Sequence, residues 1–462
     1  MPEPASILLP EKSKAGAVTI SVTTKSAWPN IKASLPIAAR TWAGVHSFAG
    51  EAGSHIAIPN AEGAISQVIA GVSGSSVPDP FALGRLARTL PGGLYVFGDG
   101  VADPRLAALG WCLEAYSFEN YRKTASAPAQ LACPAGVERI EVLRAAEAAW
   151  FTRDLINTPA SDMGPDELEQ AARRVARVFK ARVKVIKGPT LERNFPLIHH
   201  AGKASPRAPR LIDIAWGPAR APKVTLVGKG VCFDTGGLDI KPASGMLLMK
   251  KDMGGAATVL GLARMIMAAK LPVRLRVLIP AIDNAIAGNA FRPGDVLRSR
   301  KGITVEIGNT DAEGRLVVAD ALALADEERP DLLIDMATLT GAARVALGPD
   351  LPPFYTDDDG VAESIARAAR TENDPLWRMP LWQPYARLFE SRIADMDNSG
   401  DSGFAGSITA ALFLKRFVER AKTHVHFDIY AWTPQALPGR PKGAEAQGQR
   451  ALFAVIRERY TK

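Results

Sequence analysis

Two carboxylic acids and one guanidinium group occur within five residues, in the stretch from Asn309 to Arg315. Asp311 and Glu313 are separated by one residue, so an extended segment would point both carboxylates to the same side. Two carboxylates aimed at one point repel each other unless a cation or a shared proton compensates the charge. A hard divalent metal ion is one natural solution, and the stretch is therefore a candidate metal site.

A second candidate stretch, Val227 to Pro242, follows a predicted strand, and its glycines permit a tight loop with close backbone approach. It contributes Lys229, Asp234 and Lys241 in an otherwise apolar setting. A nucleotide-binding turn is a weak alternative, because the Gly-x-Gly-x-x-Gly pattern is broken at Phe233 and the P-loop pattern is absent.

A third stretch, Met249 to Ala257, places Asp252 just before a predicted helix, where the helix dipole favours an anion. The loops after neighbouring strands thus offer four acids and three cations, namely Asp234, Asp252, Asp311 and Glu313 with Lys229, Lys241 and Arg315. Carboxylates suit Mg, Mn or Zn, and bridging acids suit two metal ions that share a hydroxide and polarise a carbonyl. A lysine beside such ions can lose its proton and ligate, because nearby cations lower its pKa. This set favours metal-assisted hydrolysis.

Other residues that invite a metal or nucleophile interpretation are expected to be structural. The pairs His199-His200 and His424-Val425-His426 lack a third nearby His or Cys. Cys232 lies in the second stretch without a flanking histidine, which favours an inert packed thiol.

An α/β fold must position these loops. From residue 211 onward, short apolar strands alternate with helices, which predicts a central, mainly parallel sheet flanked by helices. The predicted strands are 211–215, 223–227, 273–279, 303–307 and 332–336, and the main predicted helices are 254–269, 316–327 and 451–460. Residues 1–135 predict a small α/β domain with strands at 55–59 and 93–98, a helix at 79–90 and a role in oligomerisation or regulation. We predict a linking helix at residues 136–160 and the larger catalytic domain at residues 161–462.

Composition bounds the remaining possibilities. The chain has 462 residues, 47% apolar and 23% charged, which is ordinary for a soluble protein of two or three domains. It has no apolar run of about 20 residues and no signal-peptide pattern, and its three cysteines are widely spaced, so we expect a cytoplasmic protein without a membrane segment. A net charge of +8 permits an acidic partner such as nucleic acid but does not require one.

The charged stretches carry a resemblance to the leucyl (cytosol) aminopeptidase family. The stretch Asn309–Leu316 resembles the signature of that family. Other motifs of the family resemble four further stretches of this sequence: 228–242, 251–257, 335–342 and 406–411. The resemblance covers roughly residue 150 to the C-terminus and is faint over the first 135 residues. It implies a dinuclear metallo-exopeptidase that removes N-terminal residues from peptides, typically as a homo-hexamer whose active sites face an interior chamber.

The resemblance also implies roles for individual residues. It implies two metal ions, usually zinc, manganese or magnesium. One ion would be held by Lys229, Asp234, Asp252 and Glu313. The other would be held by Asp234, Asp311 and Glu313, so that Asp234 and Glu313 bridge the two ions. Lys241 would polarise the scissile carbonyl, and Arg315 would hold a bicarbonate that acts as general base. The free α-amine of the substrate would bind one ion. The substrate pocket would be lined by Met249, Asn309, Thr338 and Gly341.

Two stretches depart from the family pattern: Leu247 replaces an acid, and Asp283-Asn284-Ala285-Ile286 replaces Glu-Asn-Met. Neither departure replaces any of the metal-binding and catalytic residues named above, and we expect the departures to alter the side-chain preference. An alternative function is nucleic-acid binding on the same scaffold, which salt-sensitive, metal-independent DNA binding would favour. A scaffold without peptidase activity is a third alternative, and the intact set of site residues argues against it.

Overall fold

The computed structural model describes residues 3–75, 78–123, 126–400 and 402–461. The chain divides into two compact units, Met1–Trp150 with Gln435–Lys442, and Phe151–Pro434 with Gly443–Lys462. The boundary therefore falls within one helix, Arg139–Asn157. Among the described residues, no helix is both long and apolar enough to cross a membrane.

The first unit is built on a six-stranded sheet. Its strands are β1 (Leu8–Leu9), β2 (Val18–Thr23), β3 (His55–Pro59), β4 (Ile65–Gly71), β5 (Leu94–Phe97) and β6 (Gln130–Ala132). Its helices are α1 (Pro4–Ile7), α2 (Trp28–Ser34), α3 (Ile37–Val45), α4 (Leu86–Thr89), α5 (Pro104–Glu114) and the part of α6 (Arg139–Asn157) up to Trp150, with 3₁₀ turns at Glu11–Lys14 and Ala82–Arg85. The strand order is β1-β6-β5-β2-β4-β3, and only β3 runs antiparallel to its neighbour. The helix predicted at 79–90 is shorter, because its first half forms the 3₁₀ turn, where Gly84 packs against the backbone of Gly110.

The second unit holds most of the remaining elements. Its helices are α7 (Pro165–Phe179), α8 (Pro189–Asn194), α9 (Pro196–Gly202), α10 (Ala243–Met246), α11 (Gly254–Ala268), α12 (Glu313–Glu327), α13 (Gly341–Leu347), α14 (Asp359–Thr371), α15 (Gly406–Lys415) and α16 (Gln449–Tyr460). Its 3₁₀ turns are Met249–Met253, Thr310–Ala312 and Gln383–Phe389. Its strands are β7 (Arg182–Lys187), β8 (Arg210–Trp216), β9 (Lys223–Gly228), β10 (Gly230–Asp234), β11 (Arg274–Asn284), β12 (Val296–Arg298), β13 (Thr304–Glu306), β14 (Leu332–Ala337), β15 (Pro353–Tyr355), β16 (Trp377–Arg378), β17 (Met396–Asp397), β18 (His424–Asp428), β19 (Trp432–Thr433) and β20 (Gly443–Ala444).

The main sheet of this unit is mixed, with a parallel centre. Its order is β16-β15-β18-β14-β9-β11-β8-β7, and β10 pairs with β11. Strands β18, β14, β9, β11 and β10 are parallel, whereas β7, β8 and β15 add antiparallel pairs towards the edges. The α/β fold with flanking helices is confirmed. One placement was wrong: the strand predicted at 303–307 is β13, which pairs with β12 and β17 in a separate three-stranded sheet.

Glycines allow α11 to lie directly against the centre of this sheet. A Cβ atom at Gly255 would come within 2.0 Å of the Met336 carbonyl oxygen on β14. A Cβ atom at Gly228, the last residue of β9, would come within 2.6 Å of Ala256 Cα. The contact is reinforced by the backbone, because the N–H of Ala256 donates to the Lys229 oxygen at 2.9 Å. The start of α11 is thus held tightly beside the residue that follows β9.

We expect Gly255→Ala to lower the free energy of unfolding by about 1–3 kcal/mol, because the added methyl group would overpack this contact. Alanine is the better helix former by about 1 kcal/mol, so a loss of stability would isolate the steric effect. Urea denaturation would measure it. Gly288→Ala is the matched control, since that exposed glycine has open space around its Cβ position. Equal stability of the two variants would contradict the prediction.

Candidate active site

The ends of the parallel strands bring several candidate residues to one edge of the main sheet. Lys229 follows β9, Asp234 ends β10, Asn284 ends β11 and Thr338 follows β14. The carboxyl ends of parallel strands form the usual ligand-binding edge of an α/β sheet. Charged and polar side chains from four separate strands therefore converge here.

Two acids come from helix starts instead of strand ends. Asp252 lies in the 3₁₀ turn immediately before α11, and Glu313 is the first residue of α12. Both side chains are buried, with relative exposures of 3% and 1%. Asp311 lies in the preceding 3₁₀ turn, Thr310–Ala312, so the extended geometry that would point Asp311 and Glu313 to the same side is not adopted. The backbone groups of this turn form hydrogen bonds within the turn itself. The carboxylates of Asp311 and Glu313 consequently point to different partners.

The carboxylates surround two lysine ammonium groups. One oxygen each of Asp234, Asp252 and Glu313 lies within 4.8 Å of the others. Lys229 Nζ lies 2.8 Å from Asp252 Oδ2 and 3.1 Å from Glu313 Oε1. Lys241 Nζ lies 2.9 Å from Asp234 Oδ2 and also contacts Asp311 Oδ1. The structure thus brings together all the residues for which the sequence predicted a role as metal ligand.

Four carboxyl groups face two ammonium groups in this buried cluster, so ionisation of all four acids would leave excess negative charge. Burial raises the pKa of Glu313 to about 8, and the Asp234 carboxylate adds to the effect. Burial and Asp234 likewise raise the pKa of Asp311 to about 6. Burial alone would lower the pKa of Lys229, but the carboxylates of Asp252 and Glu313 raise it. A cluster of acids that resist ionisation together is one that a bound cation would stabilise.

The donor atoms also fit metal ions. Asp252 Oδ2 and Asp311 Oδ1 are buried and make no well-directed hydrogen bond, although each touches a lysine. Both atoms therefore retain free lone pairs. Carboxylate oxygens with an adjacent lysine form a hard donor set that suits divalent ions.

Asn284 is a site residue that the sequence analysis missed. Its Nδ2 donates to Asp234 Oδ1 at 2.9 Å and to the Thr310 carbonyl at 3.1 Å, and lies 3.4 Å from Glu313 Oε2. The available signal was its position at the carboxyl end of a long apolar strand.

A second set of hydrogen bonds joins the glycine loop to the turn before α12. The Thr310 N–H donates to Asp239 Oδ2 at 2.7 Å, and the Asp239 N–H donates to Thr310 Oγ1 at 2.9 Å. Thr310 Oγ1 also donates to the Gly236 carbonyl at 2.6 Å. Further along, a Cβ atom at Gly314 would lie 2.5 Å from Lys229 Nζ, so this helix position leaves room for the lysine.

Arg315 lies beside the cluster with part of its guanidinium group unpaired. Its Nη1 donates to the Asn398 carbonyl at 2.7 Å, whereas its buried Nε has no hydrogen-bond partner among the described residues. Burial lowers the pKa of Arg315 to about 10, which still leaves the group charged near neutral pH. Asn398 Nδ2 in turn donates to the Asn309 carbonyl at 2.8 Å. The available N–H fits a small anion.

A cavity of about 720 Å³ opens over the cluster. The four residues expected to bind substrate all line it: Met249, Asn309, Thr338 and Gly341. Thr338 also orients the site, because its hydroxyl lies 2.9 Å from Asp252 Oδ1 and its carbonyl accepts from Lys229 Nζ at 3.0 Å. The charged cluster therefore forms one wall of a pocket large enough for a peptide terminus.

The histidines and cysteines lie outside this cluster. His424 Nε2 and His426 Nδ1 pair with the two oxygens of buried Asp335, at 2.7 and 2.6 Å. His199 and His200 pack against each other on α9. All three cysteines are free and buried, and burial raises the pKa of Cys232 well above its usual value.

Comparison with known proteins gives consistent matches along the chain. A family model described as "Cytosol aminopeptidase family, catalytic domain" matches residues 150–453, and one described as "M17 aminopeptidase, N-terminal domain" matches residues 19–134. A probable cytosol aminopeptidase from Roseiflexus castenholzii is 43% identical over 316 residues. That alignment covers 67% of this chain and 64% of the relative, just under two thirds of its length.

Solved structures match over nearly the whole chain. A crystal structure of a cytosol aminopeptidase from Coxiella burnetii has 48% identity and a TM-score of 0.92, covering 96% of this chain and 97% of that one. A structure of the bottromycin maturation enzyme BotP in complex with Mn has 30% identity and a TM-score of 0.86, covering 96% of this chain and 99% of that one.

We expect Asn284→Ala to raise the dissociation constant for Mn²⁺ by about 10–100-fold, because residues that orient metal ligands contribute on this scale. Calorimetric titration of metal-free protein with Mn²⁺ would measure the change. Asn289→Ala is the control, since Asn289 bonds only the Lys203 carbonyl among its described partners. Unchanged affinity in Asn284→Ala would show that the three contacts of Asn284 do not support the ligands.

Proposed function

The chain belongs to the cytosol aminopeptidase family, and on this basis we propose that it is a metal-dependent aminopeptidase that releases N-terminal residues from peptides. The family match confirms the resemblance found in the sequence and extends it to the N-terminal region. The observation that carries the proposal is the convergence of Asp234, Asp252, Asp311 and Glu313 around two lysines at the wall of one cavity.

The four acids and Lys229 would hold two divalent ions, with Asp234 and Glu313 shared between them. When bound, such ions lower the pKa of a coordinated water and polarise a carbonyl group. Manganese is one candidate, since the similar BotP structure is described as a complex with Mn, and zinc and magnesium suit the same donors. Asn284 and Thr338 would keep the ligands oriented through the hydrogen bonds described above.

Lys241 would assist the carbonyl of the scissile bond. Its ammonium group lies at the cavity wall beside Asp234 and Asp311, and these carboxylates raise its pKa despite burial, so it stays protonated. A charged donor at this position would stabilise the oxyanion that develops from the carbonyl. Arg315 would hold a bicarbonate as general base, using the N–H that has no partner.

Divalent ions held by the acidic cluster would also explain action at free N-termini. A free α-amine has a lone pair that could bind such an ion, whereas the nitrogen of an acylated terminus has lost that lone pair to amide resonance. The enclosure of the pocket by Met249, Asn309 and Gly341 would then position the first side chain. We further propose a cytoplasmic homo-hexamer, as the family resemblance implies.

We expect hydrolysis of aminoacyl amides and dipeptides to disappear on chelation, to return on addition of Mn²⁺ or Zn²⁺, and to fail with N-acetylated substrates. Glu313→Gln removes one carboxylate charge from the shared position and should lower kcat/KM by about 100-fold or more, beyond the loss typical of residues that merely support ligands. Glu363→Gln, at an exposed helix position, is the matched control. Cleavage that persists in the presence of chelator would contradict the proposal.

Lys241→Met should lower kcat by about 10²–10³-fold and leave Mn²⁺ affinity within tenfold, because the side chain acts on the substrate carbonyl. Steady-state kinetics and calorimetry on the same preparations would separate the two effects. A loss confined to metal affinity would assign Lys241 a purely structural role.

A further inference from the structure

Tyr430 brings two cationic side chains together at the edge of the substrate cavity. Lys251 Nζ lies over its ring, 4.3 Å from the centroid, and the Arg344 guanidinium carbon lies 5.2 Å from the same centroid. Arg344 Nη1 also donates to the Tyr430 hydroxyl at 3.3 Å. An aromatic ring attracts cations through its negative face, which accounts for this grouping.

All three residues line the same cavity as the acidic cluster. Tyr430 comes two residues after the end of β18, so it lies at the carboxyl edge of the main sheet. Arg344 is on α13, three residues after Gly341, and residues at that spacing share one face of a helix. The cationic group is therefore part of the wall that encloses the substrate, beside a residue already expected to bind it.

Neither cation is neutralised within the part of the chain that the structure describes. Lys229 and Lys241 each contact two carboxylates, whereas no described carboxylate lies within ion-pair distance of Lys251 or Arg344. The nearby acid Asp428 is already engaged, because it accepts hydrogen bonds from the hydroxyls of Thr340 and Ser407. Asp252 and Asp428 act on the Lys251 charge without forming an ion pair with it. Arg344 is exposed, and its guanidinium group is therefore open to an anion from outside.

We propose that Arg344 and Tyr430 bind a carboxylate of the peptide substrate, so that the enzyme favours substrates with a carboxylate close to the scissile bond. This inference rests on the proposed aminopeptidase function. The guanidinium group offers parallel N–H donors that match a carboxylate, and the tyrosine hydroxyl can accept from Arg344 while it donates to the ligand. Lys251 adds positive potential from behind the ring.

Two substrate groups carry this chemistry. One is the side chain of an N-terminal Asp or Glu, and the other is the C-terminal carboxylate of a dipeptide. The α-amides of Glu and Gln, and of Asp and Asn, differ in side-chain charge at nearly constant shape. Leu-Gly and Leu-Gly amide differ in the C-terminal charge alone. These pairs distinguish the two sources.

The test is the ratio of kcat/KM for the charged and neutral members of each pair, measured with the full-length protein in Mn²⁺. In at least one pair we expect a ratio of about tenfold or more, as for a hydrogen bond to a charged group. Arg344→Met should bring that ratio to about one, Arg344→Lys should retain part of it, and Tyr430→Phe should lower it while the ring is kept. Arg220→Met, at an exposed loop position, should leave all ratios unchanged.

The pair that shows the effect identifies the carboxylate that is bound. Ratios near one in every pair, or ratios that survive in Arg344→Met, would overturn the inference while hydrolysis itself upholds the proposed function. Absence of hydrolysis with any metal would instead overturn the proposed function. Calorimetric binding of Glu α-amide and Gln α-amide, and of Leu-Gly and Leu-Gly amide, to the wild-type and Arg344→Met proteins without metal then decides the carboxylate site separately. Equal binding within both pairs by the wild-type protein would reject it.

Discussion

Excess negative charge in a buried space is the constraint on which the site depends. Four carboxylates meet at the edge of the sheet, and two lysines compensate only part of their charge. Such a cluster persists only when rigid surroundings hold the acids in place against their repulsion. Those surroundings are the tight contact of α11 with the sheet and the hydrogen bonds of Asn284, Thr338 and Thr310. Fold and chemistry are therefore parts of one electrostatic arrangement.

The pattern of the sequence was sufficient to predict most strands of the main sheet and to identify the charged residues of the candidate site. Strands such as β9 and β14 are short apolar runs next to helices, and that alternation is a strong local signal. β18 was not predicted, because a strand that begins with His424-Val425-His426 does not look apolar. Its histidines form hydrogen bonds with Asp335 on the adjacent strand, a partner that is recognised only once β14 and β18 are known to pair.

Other features could not be found from local pattern because they depend on contacts between distant segments. β13 has the alternation of a sheet strand, but alternation does not say which sheet a strand joins. The turn at Thr310–Ala312 is closed by Asp239 from the glycine loop, so its helical geometry depends on a residue 71 positions away. Asn284 and Arg344 acquire their significance in the same way, from neighbours far along the chain.

Gly314 restricts which amino-acid substitutions this protein can tolerate during evolution. Glycine inside a helix costs about 1 kcal/mol relative to alanine, so a drift towards better helix formers would be rewarded elsewhere in α12. At this position any side chain would occupy the space of the Lys229 ammonium group. Alanine would therefore favour the helix at position 314 while it displaced Lys229 from its contacts with Asp252 and Glu313. Helix propensity and the proposed metal site thus make opposite demands on this one residue.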